Sequence, residues 1–326
     1  MSNELKILQE LSEDRYASGE AISQKLHMTR SAVWKHIVKL RSLGYRIEAA
    51  PRRGYLLKGR PDKLLAEEIL PLVKTAVIGR RIVHREEVNS TTLLARDLIR
   101  EGTPEGTVIL AERQTAARGR LGRSWETPAG QAISMSVILY PHFAPAQAPL
   151  LSLATGMAAV RAVESVAPVS PLIKWPNDIY LDGRKLGGIL VEMAAELDQI
   201  RWVVDSIGIN VNNSFARTGL QIKATSLAEK LGRKISRARL AAAVINELDR
   251  IYAEAGNQGF ASLAADFHRM DMLRGLQVTV NAPEGEISGV ARGIDDAGRL
   301  LVEDEHGRRH TLACGEATLS GWSETM

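Results

Sequence analysis

The sequence predicts an α+β multidomain chain in three parts: a winged helix-turn-helix over residues 1–62, a central mixed sheet with helices over 63–272, and a small β-barrel-like domain over 273–326. Three observations predict it. The first sixty residues hold 12 Lys+Arg against 6 Asp+Glu and show helix-period patterns followed by two short strand-like runs. The chain then alternates strand-like and helix-like patterns as far as about Asp271. From Gly275 onward it changes to short strands separated by glycine turns.

Helices are expected at Glu4 to Ser12, Gly19 to Leu26 and Arg30 to Leu43. Ser18 and Thr29 are placed to cap the second and third, their side-chain oxygens accepting from first-turn amides that have no partner within the helix. In the third helix Val33, Ile37 and Leu40 fall on one face, which leaves Ser31, Lys35 and Lys39 outside. Strands at Tyr45 to Ala49 and Gly54 to Leu57, joined by Pro51, Arg52 and Arg53, complete the wing. The excess of positive charge is confined to this module, since the whole chain carries only +4. That points to a polyanionic partner for the first sixty residues alone. Arg30, Ser31, Trp34 and Lys35 begin the third helix, where such modules present base-reading side chains, and Arg52 and Arg53 lie at the wing, which meets phosphate or the minor groove. The alternative is a helical module that binds protein or has lost its partner.

Pro61 and Asp62 mark a linker. Strands are expected at Thr107 to Glu112, Ala132 to Leu139, Leu172 to Lys174, Gly188 to Met193 and Trp202 to Ile209, and helices at Thr92 to Glu101, Leu150 to Ser165 and Arg237 to Ala255. The most apolar stretch, Leu150 to Val169, contains Arg161 and Glu164 and reads as a buried amphipathic helix, neither an export signal nor a membrane span. The closing strands are Gln277 to Val280, Ile287 to Ile294, Leu300 to Val302 and Arg309 to Ala313. A single cysteine, Cys314, excludes an intrachain disulfide and any multi-cysteine zinc site and fits a reducing cytoplasm; its own expected role is a small core residue.

Two segments carry chemistry. Gln114, Arg118, Gly119, Arg120, Gly122, Arg123 and Trp125 put three guanidiniums within six residues, separated by glycines that discourage a packed helix or strand. Such a loop needs an anion to settle it. By residues alone it is either a solvated basic loop or nucleic-acid contact, or a loop that folds over phosphate. The second segment, Ile173 to Asp178 and then Arg184 to Gly188, reads as strand, sharp turn, strand. Lys185 comes just before two glycines that let a ligand or a neighbouring backbone approach, and it supplies a point charge for an oxyanion, although a hairpin lysine can equally be solvated. Asn177 and Asp178 after Pro176 are also ordinary turn formers. The common nucleotide-loop, zinc-protease and nucleophile-elbow motifs are absent. An arginine loop with a strand-borne lysine suits chemistry in which charge neutralisation and positioning dominate.

The stretches Gln114–Trp125, Lys174–Asp178, Arg184–Glu192 and Gly208–Asn212 together resemble the signature blocks of biotin–protein ligases, in the same order. Ser31-Ala-Val-Trp-Lys35 resembles the DNA-reading region of the bifunctional, repressor-type members, and Gly293 to Val302 resembles their C-terminal domain. The resemblance implies a class II synthetase-like catalytic domain and an SH3-like C-terminal domain. Three positions depart from the pattern: Thr92 where Asn is frequent, Ala117 where Gly is usual, and Ser206 in place of the first glycine of a Gly-Ile-Gly-Ile-Asn run. Ala117 is expected to matter most, because a methyl restricts positive φ at the loop entry.

The family's reaction joins biotin to ATP as biotinyl-5'-AMP and passes the acyl group to a lysine of the biotin carboxyl carrier protein of acetyl-CoA carboxylase. The resemblance assigns catalysis to Lys185, Arg120 and Asp178. It assigns biotin binding to Ser90, Thr91, Thr92, Gln114, Arg118, Gly119, Arg120, Lys185 and Gly188. Nucleotide binding falls to Arg118, Arg120, Arg123, Trp125, Asn177, Lys185 and Asn210. Mg2+ is expected near Asp178 or Asn177. The adenylate-bound form is implied to dimerise and to repress biotin genes at a palindromic operator. Two rivals stand beside this reading, a catalytically weak biotin-sensing transcription factor and a lipoate or octanoate transferase. The arginine loop and Lys185 argue against the first, the winged helix and the complete arginine loop against the second.

Overall fold

The computed structural model describes residues 2–125, 128–196, 199–216, 219–220, 223–258, 261–283 and 285–319. At the amino terminus come α1 (Asn3–Glu10), α2 (Gly19–Lys25), α3 (Arg30–Ser42) and the antiparallel hairpin β1 (Arg46–Ala50) with β2 (Gly54–Gly59). Ser18 Oγ accepts from Glu20 N and Thr29 Oγ1 from Ala32 N, as their positions predict. Each such cap contributes about 1 kcal/mol. Val33, Ile37 and Leu40 are fully buried against Ile7, Leu8 and Ile22, while Trp34 stays 55% exposed on the opposite face. The wing turn needs a glycine at 54: its φ is +103°, and a Cβ there would sit 2.0 Å from the Ala17 carbonyl oxygen.

Beyond the linker, the short helix α4 (Ala66–Ile69) leads into a seven-stranded sheet. Its strands are β3 (Ile82–Val88), β4 (Val108–Gln114), β5 (Ala132–Leu139), β6 (Leu172–Lys174), β7 (Asp178–Leu181), β8 (Arg184–Glu196) and β9 (Gln199–Asn210). The order is β3-β4-β5-β9-β8-β7-β6, with β3 and β4 parallel and all other pairs antiparallel. The sheet also receives α5 (Thr91–Arg100), α6 (Ala148–Val166), α7 (Leu227–Leu231), α8 (Arg237–Gln258) and α9 (Ala261–Met270). On one face Met157, Val160, Val244 and Leu248 of α6 and α8 bury Leu110, Met135, Val203 and Ile207. On the other, Ala95 and Leu98 of α5 cover Ile109, Ile138 and Val204. The stretch expected as a buried helix is α6, and no helix among the described residues is long and apolar enough to cross a membrane.

The linker is clamped by Arg237, whose side chain is fully buried. Its Nη2 pairs with Glu112 Oε2 at 2.8 Å and its guanidinium also donates to the Asp62 carbonyl oxygen. Glu112 in turn accepts from Leu64 N at 2.7 Å. Burial pushes the Glu112 carboxyl up, but hydrogen bonds from His84, Leu64 N and Arg237 outweigh it and hold the group below the usual range.

The final strands β10 (Gln277–Ala282), β11 (Gly285–Ile294), β12 (Leu300–Glu303), β13 (Arg309–Leu312) and β14 (Glu316–Leu319) form an antiparallel sheet in the order β13-β12-β11-β10-β14. Val278, Val280, Leu300 and Val302 join the main core. Trp175 Nε1 donates to the Gly298 carbonyl oxygen at 3.0 Å, which seats this domain on the turn between β6 and β7.

Expected element ends move by one to four residues, and several elements escape the sequence pattern altogether. β3 is a charged edge strand with little apolar alternation, β7 is only four residues long within what reads as a turn, and β14 follows a glycine break. Lys185 consequently lies inside β8, not ahead of it. Cys314 is exposed and not a core residue, because Ala313 and Cys314 lie in the bend between β13 and β14, outside the inward-facing positions of either strand.

Candidate active site

One cavity of about 820 Å³ opens above β4, β5, β7, β8 and β9. Its floor is made of hydroxyls. Ser90 caps α5, its Oγ accepting from Thr92 N, and so brings Thr91 and Thr92 to the first turn beside β5 and β9. Gln114 at the end of β4 accepts on Oε1 from Thr91 N at 2.8 Å and from Thr91 Oγ1 at 3.1 Å. Ser90, Thr91, Thr92 and Gln114 therefore share one corner of the cavity.

Its rim is cationic. Lys185 Nζ lies 2.7 Å from Asp178 Oδ1, and Gly188 leaves the pair uncrowded: a Cβ there would come to 3.3 Å from that oxygen. Gly187 has a different duty, since its Cβ would sit 2.6 Å from the Gly208 carbonyl oxygen in the adjoining strand. The Lys185 backbone is held on both sides, donating to Lys223 O and accepting from Thr225 N, so the side chain leaves a fixed point of the strand.

The arginine loop is a closed turn. Gly119 N donates to Arg123 O at 2.7 Å and Trp125 N to Ala117 O at 3.1 Å. Arg120 Nη1 donates to Asn177 Oδ1 at 2.9 Å, and Asn177 Nδ2 donates to Ile189 O. Arg123 pairs with Glu316 of β14, Nη2 to Oε2 being 2.6 Å, and this guanidinium holds the Glu316 carboxyl below the usual carboxylate range. The need for an anion is thus already met in part by the protein itself, a partner 193 positions away that local sequence cannot reveal. Trp125 lies flat on β9 over Gly208, where any Cβ would meet the indole at 2.7 Å.

Family profiles match three segments: an HTH domain at residues 3–56, the biotin/lipoate A/B protein ligase family at 85–212, and a biotin protein ligase C-terminal domain at 275–319. The bifunctional ligase/repressor BirA of Bacillus subtilis is 38% identical over 90% of this chain and 91% of its own length. The chain belongs to the bifunctional biotin ligase/repressor family. The Escherichia coli bifunctional ligase/repressor is 31% identical over 92% of both chains. A solved Aquifex aeolicus biotin protein ligase in complex with biotin and ATP superposes with a TM-score of 0.65 at 27% identity, covering 74% of this chain and 98% of that one.

Set against the family's pattern, the cavity brings together every expected small-molecule residue except Asn210. Asn210 is buried outside it, with Oδ1 accepting from Asn213 Nδ2 at 3.3 Å. Ala117 does not strain the loop entry as expected. It is not among the residues with positive φ, and the left-handed positions fall instead on Leu121 (φ 57°) and Gly122 (φ 75°). Arg30, Ser31, Trp34 and Lys35 share the solvent face of α3, and Arg52 and Arg53 lie exposed at the wing, with Arg53 stacked 4.0 Å over the Tyr16 ring. Among the described residues no cluster of three or more His, Cys, Asp or Glu side chains could cage a metal. Asp178 and Asn177 are committed to Lys185 and Arg120 respectively, each through one oxygen.

Residue-level reasoning missed Ser136 and Glu316 as parts of the site and noted Ser206 only as a departure. Ser134-x-Ser136 and Ser206-x-Gly208 in otherwise apolar strands were the available signal: polar residues at period two point to one face of a sheet.

Proposed function

We propose that this chain activates biotin with ATP to biotinyl-5'-AMP, transfers the acyl group to a lysine of the carrier protein of a biotin-dependent carboxylase such as acetyl-CoA carboxylase, and in its adenylate-bound form represses biotin genes. The observation that carries the reading is the pairing, in one cavity, of a hydroxyl and amide floor with a rim of Arg118, Arg120, Arg123 and Lys185. The floor suits a polar, uncharged ring head, and the rim suits a carboxylate meeting a phosphate.

In the first step a carboxylate oxygen attacks the α-phosphorus and pyrophosphate leaves. Two anions must approach, and Lys185, positioned by Asp178, offsets their repulsion at the point of bond formation. Arg118, Arg120 and Arg123 neutralise the departing phosphates, with Arg120 steadied by Asn177. Trp125 walls the nucleotide side. Mg2+ would arrive on the triphosphate, as this ion usually does, with Asp178 offering its second oxygen; when bound it neutralises phosphate charge. In the second step the carrier lysine loses a proton to a base, for which Asp178 is the candidate, attacks the acyl carbon and displaces AMP. Gly119 and Gly188 admit the ligand backbone-close.

We assign residues 1–62 to DNA, 63–272 to ligation and 273–326 to closing the cavity, in a cytoplasmic protein that dimerises when the adenylate is bound. Incubating the chain with ATP, labelled biotin or lipoate and an apo-carrier domain tests the catalytic half. Biotin, not lipoate, should appear on the carrier; lipoyl transfer or no transfer would overturn the reading.

The DNA half has its own expected result. Trp34→Ala should lower operator affinity by about tenfold or more, the loss of a good apolar or hydrogen-bonded base contact, with ligation unchanged. Footprints of equal strength for parent and variant, or with and without biotin plus ATP, would remove the proposed role of α3 or the coupling respectively.

A further inference from the structure

The floor of the cavity holds a chain of hydroxyls whose proton directions are fixed by its far end. Thr91 N donates to Gln114 Oε1, so that oxygen is an acceptor facing Thr91. Thr91 Oγ1, 3.1 Å from the same oxygen, must therefore spend its proton there. A hydroxyl has one proton and two lone pairs, so each further link is forced. Ser136 Oγ, at 2.8 Å, donates to Thr91 Oγ1. Ser206 Oγ, at 2.8 Å, donates to Ser136. Thr92 Oγ1, at 2.8 Å, donates to Ser206. Every proton in the chain is committed, and what the hydroxyls have left to offer is lone pairs.

Two of these residues face the cavity from positions where the family's pattern differs, Thr92 and Ser206, and they are partners of one another across 114 residues. Each hydroxyl would be costly alone. Ser206 is 8% exposed and Thr92 7%, so a glycine at 206 would strand the Thr92 oxygen in a nearly dry corner. Ser136 is fully buried behind them, outside the cavity lining, and positions Ser206 through their hydrogen bond.

We propose that Ser206 is a specificity-determining residue of this chain. With its proton held by Ser136 and its oxygen presented to the cavity, it accepts from an N–H of the bound ring and rejects a ring that offers a lone pair at that edge. The inference rests on the biotin reading above, in which the ring is a cyclic urea with two N–H groups flanking a carbonyl. It adds that one of those N–H groups is read by Ser206 with Thr92 behind it. A site built to accept a ligand proton discriminates strongly against an analogue lacking it, because two lone pairs are then left facing each other.

The test uses the full chain, biotin, and two biotin analogues in which one or the other ureido N–H is replaced by a ring oxygen, giving cyclic carbamates of nearly unchanged shape. Calorimetric titration of the parent should show one carbamate bound about a hundredfold more weakly than biotin. Ser206→Ala should weaken biotin about tenfold and narrow that one gap about tenfold, leaving the other gap unchanged. Thr92→Val, which frees the Ser206 lone pair from its donor while keeping shape, should change the same gap, and Thr92→Ser, which restores a hydroxyl donor, should reverse most of that change relative to Thr92→Val; this pair carries the comparison if Ser206→Ala does not fold. Equal weakening of all three ligands by Ser206→Ala, or biotin affinity within about twofold of the parent, overturns the assignment. A parent chain that ligates biotin but shows no gap for either carbamate overturns it while sparing the proposed function, whereas a parent that binds no biotin overturns both.

Discussion

Lys185→Ala is expected to lower biotin-dependent ATP–pyrophosphate exchange by about a thousandfold or more, equivalent to about 4 kcal/mol of transition-state stabilisation. The reason is positional. The lysine leaves β8 at a residue whose N–H and C=O are both tied to the segment at 223–225, and its ammonium is held by Asp178 at the centre of the cationic rim. The side chains of Lys185 and Asp178 are 32% and 22% exposed, and although Asp178 Oδ1 is buried beneath the ammonium, removing the lysine opens that oxygen to the cavity both residues line. The stability lost should be about 1 kcal/mol or less. Activity and folding therefore separate, and a thermal melt close to that of the parent accompanies the collapse in exchange. Lys185→Arg should not rescue it, because a planar guanidinium cannot occupy the place of a compact ammonium beside Gly188. Exchange within about tenfold of the parent would take Lys185 out of the chemistry.

Much of this site was legible because the chain puts charge where an ordinary loop would not. Three arginines among glycines, and a lysine ahead of Gly-Gly, are visible in any window of ten residues. The winged module was legible for a similar reason: Thr29 as a cap and the spacing of Val33, Ile37 and Leu40 are local facts, and the fold uses them unchanged. What escaped the sequence is what depends on distant pairing. Glu316 reads as an ordinary acidic residue near the end of the chain until β14 carries it to Arg123. Thr92 and Ser206 read as two unrelated departures until β9 lies beside α5 and their hydroxyls meet. Ala117 misled in the opposite direction: the usual glycine suggests positive φ at the loop entry, but the turn is made at Leu121 and Gly122.

Asp205 belongs with the distant pairings, and it should dominate how stability depends on pH. It lies on β9 on the face covered by α6, 2% exposed, with Thr155 Oγ1 donating to its Oδ2 and no partner on Oδ1 among the described residues. Burial disfavours the charged form and pushes the carboxyl up from 3.8 to about 7, the Thr155 hydrogen bond offsetting only part of that rise. Because the folded value lies above the unfolded one, the native state holds a proton that the unfolded chain has already released. The stability this contributes is complete below about pH 4, is lost progressively as pH rises, and is gone above about pH 7, a swing of about 4 kcal/mol in total. Asp205→Asn keeps an oxygen for Thr155 and removes the titration. Denaturant unfolding of parent and variant at pH 5 and pH 8 should show their stability difference moving by about 3 kcal/mol in favour of asparagine. The new amide brings N–H groups into the same dry corner, which lowers the variant equally at both pH values and leaves that movement intact. Parallel pH profiles for the two proteins would mean that Asp205 is ionised in the native state across the range, and that water or a partner reaches Oδ1 from between α6 and β9.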